Sequence, residues 1–129
     1  MRSTAAHRTA EPRQQRAIET RANLLAAVEK IVAEEGPDAV TTTRVAAETG
    51  TAVGTIYRYF VDRDQMLLEA YDATVDRLVA TCRVALDAMP ADAPVAEASR
   101  RLLDVYLGAA DAIPAHVGLL GAMRRLRPL

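Results

Sequence analysis

The chain has 129 residues, half of them apolar but only 4% aromatic, and a formal net charge of −1. That length suits one helical core or a small head on a partial body, and a core drawn from Ala, Val, Leu and Ile favours helices. The near-neutral balance excludes a uniformly basic coat, yet a local basic face on an acidic body remains compatible with nucleic-acid binding.

Cys82 is the single cysteine, so no internal disulfide forms, and no stretch resembles a secretion signal. The expected compartment is the cytoplasm. No apolar run approaches the roughly 20 residues that span a bilayer. Ala112 to Met123 is short and holds Pro114 and His116, so a soluble protein without a membrane partner is expected.

Residues 1–15 read as a flexible basic arm, with Arg2, Arg8 and Arg13 against Glu11 and with Pro12 discouraging a helix. Such an arm is either solvated or ordered on DNA. Arg16 to Glu35 has helical periodicity, with Ile18, Ala22, Leu25, Val28 and Val32 inward and Glu19, Arg21, Glu29, Lys30 and Glu34 on the wet side. Gly36 and Pro37 stop it. A short helix starts at Thr41 to Thr43, whose hydroxyls can cap its free N–H groups. Val45 and Ala46 face inward, Gly50 turns the chain, and a second short helix starts near Ala52 or Val53. Counting Thr42 as first, Ala46 is fifth, Gly50 ninth and Ile56 fifteenth. A small fifth residue lets two steeply crossed helices approach, and Ile56 anchors the second from beneath. Tyr59 and Phe60 then turn inward, and Thr55 and Arg58 outward.

Asp62 and Gln65 form a capping-box variant, so a long helix runs from about Arg63 to Ala88 on the stripe Met66, Leu67, Ala70, Tyr71, Thr74, Val75, Leu78, Val79, Cys82 and Leu86. Met89 to Pro94 is a linker. Another helix spans about Val95 to Ala112, with Leu102, Leu103, Tyr106 and Leu107 apolar. Pro114 opens a last one, with Val117, Leu119, Leu120 and Met123 apolar, that ends in Arg124, Arg125, Arg127 and Pro128. Gly118 and Gly121 read as close-packing positions.

Enzyme chemistry lacks parts. His7 lies in the arm, His116 has no ligand partner at metal spacing, and there is no GxxxxGK loop. No catalytic residue, metal or cofactor is therefore expected. Cys82 reads as a buried small hydrophobe, with a redox-sensing thiol as the alternative.

The run VTTTRVAAETGTAVGTIYRYFVDRDQML resembles the DNA-binding signature of the tetracycline-repressor (TetR) family of bacterial transcription regulators. Its small residues, Gly, aromatics and basic residue stand at the family's spacing. The resemblance extends back through Arg16 and more loosely forward to about Leu120. It implies an all-α protein in three parts: the arm 1–15, a three-helix helix-turn-helix head 16–62, and a partial regulatory body 63–129. Family members continue with further long helices that form the dimer, so this body is expected to be truncated.

By the same resemblance, Thr42 and Thr43 approach phosphates, Val53, Gly54 and Thr55 meet base edges, and Tyr57, Tyr59 and Arg63 hold phosphates. Arg58 reaches a base or the backbone. Val53 departs from the family, which often has a polar residue there, so readout leans on Thr55 and Arg58. Arg63→Ala is then expected to weaken all DNA sequences alike. The implied partners are a double-stranded operator, a second copy of the chain, and an apolar small-molecule ligand that releases a repressor. Leu78, Cys82, Leu103, Tyr106 and Leu120 are the candidate pocket, with ordinary core packing as their other reading. A helical protein-interaction module is the alternative function, distinguished by an absence of salt-dependent DNA affinity.

Overall fold

The computed structural model describes residues 2–127, with side chains from residue 12 onward. The side chains of Arg2, His7, Arg8 and Glu11, and the whole of Pro128, lie outside the described residues. The protein is all-α. Helices α1 (Arg2–Glu35), α2 (Thr42–Thr49), α3 (Val53–Ile56), α4 (Arg63–Ala88), α5 (Val95–Asp111) and α6 (His116–Leu126) follow one another, with one 3-10 turn at Pro37–Ala39.

Local chemistry sets most boundaries. Thr41 Oγ1 accepts from the Arg44 N–H at 3.0 Å and starts α2. Gly50, at φ 67°, ends it in the left-handed conformation, and the Thr51 N–H bonds back to the Ala46 carbonyl. Asp62 Oδ1 accepts from Gln65 N–H at 2.9 Å, and Gln65 Oε1 accepts from Val61 N–H at 2.5 Å, which fixes the start of α4. Gly36 stands at φ 89° and ψ 165°, a combination essentially confined to glycine, rather than in the left-handed helical region expected of a cap.

The first helix departs from expectation twice. Residues 1–15 read as a non-helical arm, but the backbone is helical from Arg2 and continues through Pro12. Proline removes one hydrogen bond and crowds the carbonyl four residues back. The strong helix formers Ala10, Gln14 and Gln15 around it keep the winding intact. The buried stripe is also rotated. Leu24, Ala27, Val28, Ile31 and Val32 are buried, whereas Ala22 is exposed and Ile18 is 62% exposed. The early turns of α1 extend beyond the body that could cover them.

One core runs through the molecule. Leu24, Val28, Ile31, Val40, Val45, Ile56 and Phe60 join Met66, Leu67, Ala70, Leu119 and Ala122 in a single cluster, so α4 and α6 complete the packing that α1 to α3 cannot achieve alone. Two ion pairs of opposite polarity lock α1 and α4 in parallel register. Arg21 pairs with Glu69, and two turns further along both helices Glu29 pairs with Arg77; sliding one helix by those two turns would bring like charges together.

Gly118 seats α6 on α1. A Cβ built there would lie 2.7 Å from Val32 Cγ1, while at Gly121 it would meet nothing within 4 Å. The close-packing reading therefore holds for Gly118 and fails for Gly121. Val32 is β-branched and stiff, so Gly118→Ala is expected to cost about 1 to 2 kcal/mol in urea unfolding, against no comparable loss for Gly121→Ala.

Helix α5 has an apolar face but no buried residue. Leu103, Tyr106 and Leu107 remain exposed. At the break between α5 and α6 the chain bends by 93°, and among the described residues no single helix is long and apolar enough to cross a membrane.

Candidate nucleic-acid interface and apolar groove

The corner formed by α2, Gly50 and α3 presents one side to the core and the other to solvent. Helix α3 is only four residues long, but bonds from Tyr57 N–H to Val53 O, Arg58 N–H to Thr55 O and Phe60 N–H to Ile56 O continue the winding as far as Phe60. Ile56 and Phe60 are buried beneath it. Above, Thr43, Gly54 and Arg58 are exposed, with Val53 at 38% and Tyr57 at 55%. Among the described residues, Arg58 makes no ion pair or side-chain hydrogen bond, and it is exposed.

The other expected contacts are less open. Thr42 and Thr55 are half-buried. Tyr59 is also half-buried and packs on the core, which suits a ring against the body with a hydroxyl at the edge. Arg63, which the resemblance assigns to phosphates, makes internal contacts in the DNA-free chain. Its Nε donates to the Val40 carbonyl at 2.6 Å and its Nη2 to the Pro37 carbonyl at 2.8 Å. A guanidinium that donates to two carbonyls of the α1–α2 connection braces the head from within, while the side chain stays 35% exposed.

Arg21 is a positioning residue that periodicity placed on the wet side. Its Nη1 donates to the Tyr59 carbonyl at 2.9 Å, its Nη2 pairs with Glu69, and its Cζ lies 4.6 Å from the centre of the Phe60 ring. It thus joins α1, the end of the α3 turn and α4. No local sequence signal distinguishes it from other surface arginines, because its three partners are distant in the chain.

Around α2 the remaining charge is neutralised internally. Arg44 bonds Glu35 at 2.8 Å and Glu48 at 2.9 Å, and Lys30 bonds Glu48 at 2.5 Å. Hydrogen bonds from Lys30 and then Arg44 hold the Glu48 carboxyl below its usual range, and the same contact with Glu48 raises Lys30. These pairs fasten α2 to α1.

A second concavity lies between α4, α5 and α6. It is a groove of about 410 Å³ lined by Leu78, Cys82, Tyr106 and Leu120 together with Tyr71, Leu102 and His116. Four of the five expected pocket residues come together here. Leu103 does not. It lines a neighbouring surface groove with Leu102 and Tyr106, because one residue along a helix turns the side chain by about 100°. His116, set aside in the sequence for want of metal partners, is buried at the groove wall. Its Nδ1 lies 3.3 Å from Thr74 Oγ1, and its ring stacks on Tyr71. Among the described residues no His, Cys, Asp and Glu converge in a metal-holding group.

The fold and this corner define a helical helix-turn-helix protein. Residues 24–70 match the family described as bacterial regulatory proteins, tetR family. Over this segment the chain is similar to that family. Solved structures share the fold: a TetR family transcription regulator from Marinobacter aquaeolei (20% identity, TM-score 0.72, 87% of this chain and 57% of that one), and one from Streptomyces coelicolor (22%, 0.67, 82% and 65%). A third, from Haemophilus influenzae, has 21% identity and a TM-score of 0.63 over 83% of this chain and 57% of its own. The chain spans about three fifths of the length of the first structures it matches. No curated protein matches it closely.

Proposed function

We propose that the protein is a DNA-binding transcription regulator, a homodimeric repressor that leaves a palindromic operator when a small molecule enters the α4–α5–α6 groove. The observation that carries the reading is the solvent-facing ridge of Val53, Gly54, Tyr57 and Arg58. It stands on a packed underside, Ile56 and Phe60, that holds it rigid. Large apolar and cationic side chains left exposed on a fixed corner suit a major groove. Residues 1–15 would serve as an arm, 16–62 as the head and 63–129 as part of the regulatory body. In the dimer, the two ridges would stand about 34 to 36 Å apart to reach successive half-sites.

Contacts divide by role. Thr42, Thr43 and Tyr57 would steady the phosphates, Val53 would offer apolar contact to a thymine methyl, and Arg58 would read a base edge. Arg58→Ala is expected to weaken specific binding by about 1 to 3 kcal/mol and relax one position of the site. Gel-shift titration against the selected operator and a scrambled duplex checks this, since equal losses on both would reduce Arg58 to a backbone contact. Affinity for duplex DNA should also fall with added salt as phosphate counterions are released. Absence of any salt-dependent DNA binding would favour a protein-interaction module.

A further inference from the structure

The groove contains a hydrogen-bonding group whose chemistry selects what can enter. His116 is only 6% exposed. Thr74 has a single hydroxyl proton, and it goes to the Tyr71 carbonyl at 2.7 Å. Its oxygen can therefore only accept from the imidazole 3.3 Å away, which places the ring proton of His116 on Nδ1. Stacking on Tyr71, at 6.1 Å between centroids and 14° between planes, fixes the ring's orientation.

Nε2 is then left as an acceptor. Among the described residues it has no hydrogen-bond partner, yet it is not an enclosed orphan, since Glu69 Oε2 is the one side-chain polar atom of that kind. Nε2 keeps an opening, and the surface His116 lines is the groove. The neighbours on that surface are chiefly apolar: Val75, Leu78, Leu86, Leu102 and Leu120. Arg83 also lines it, but on an exposed stretch of α4 where water competes for its charge.

We propose that the groove takes an uncharged, mainly apolar molecule carrying one hydroxyl or N–H donor, and that His116 Nε2 accepts from that donor. This specificity rests on the ligand-sensing reading of the body. An apolar pocket with one oriented polar group discriminates strongly, because a ligand lacking the matching group leaves it unpaired.

Isothermal titration of the full chain at pH 8, without DNA, tests it with biphenyl, 4-hydroxybiphenyl and biphenyl-4-carboxylate. The hydroxyl compound is expected to bind about tenfold tighter than either of the others, as one well-made hydrogen bond allows. His116→Phe keeps a stacking ring and should erase that preference while retaining biphenyl. Thr74→Val, which frees Nδ1 of its partner, should shrink the preference even if the His116 variant fails to fold. Equal affinities, a tighter carboxylate, no saturable binding, or a preference that survives His116→Phe would each overturn the proposal. Gel shifts of the ligand-free protein judge DNA binding separately, so loss of either reading is distinguishable from loss of the other.

Discussion

Truncating Phe60 to alanine is expected to remove about 3 to 5 kcal/mol of folding stability, the range for emptying a buried aromatic site. Phe60 is 2% exposed and belongs to the cluster shared by α1, α2, α3, α4 and α6. Its ring also carries the Arg21 guanidinium. Removing it opens a cavity and takes away the surface that orients Arg21 toward the Tyr59 carbonyl and Glu69. Domains of this size have total stabilities of about 5 to 15 kcal/mol, so the variant should unfold at markedly lower urea or fail to accumulate. Phe60→Leu keeps most of the volume and should cost less than half as much. A loss below about 1 kcal/mol for Phe60→Ala would mean that the site collapses without a cavity.

Arg63→Ala separates two roles for one side chain. If Arg63 braces the head, its loss leaves the Pro37 and Val40 carbonyls without their charged donors. Hydrogen bonds to charged groups contribute about 1.5 to 3 kcal/mol each. The side chain is 35% exposed, so water replaces part of this and the expected cost is about 2 to 4 kcal/mol. Arg63→Lys should recover little, because a point-like ammonium cannot span both carbonyls as the fork does. Thermal unfolding reads the loss directly. A phosphate contact would instead leave stability unchanged and lower the dependence of DNA affinity on salt by about one counterion. That second outcome would support the assignment implied by the resemblance.

What the sequence discloses and what it hides follow from the range of the interactions. Thr41, Gly50 and Asp62 mark their boundaries correctly because a cap is formed within three or four residues. The all-α class and the helix-turn-helix corner are legible for the same reason, as is the span of α4 from Arg63 to Ala88. The inner face of α1 is rotated from the one periodicity suggests: Ile18 and Ala22 fit a helical period, but only the later turns have α4 and α6 to pack on. Periodicity also finds an apolar stripe on α5 without saying whether anything covers it, and Leu103 falls just outside the groove. The roles of Arg21, Arg63 and His116 depend on partners 23 to 48 positions away, which no local pattern encodes.

Helix α4 contains neither Gly nor Pro over its 26 residues, so it lacks the residues at which helices most often kink. Its first turn is bolted to the α1–α2 connection by Arg63, and its second to α1 by Glu69. The groove is lined from Tyr71 onward, and a third fastening, Arg77 to Glu29, ties that same stretch of α4 to α1. A molecule favouring one tilt of α4 therefore has no soft joint in which to dissipate the displacement. Under the proposed ligand-sensing role, such a tilt would pass along the unbroken helix to the recognition corner instead of being absorbed on the way.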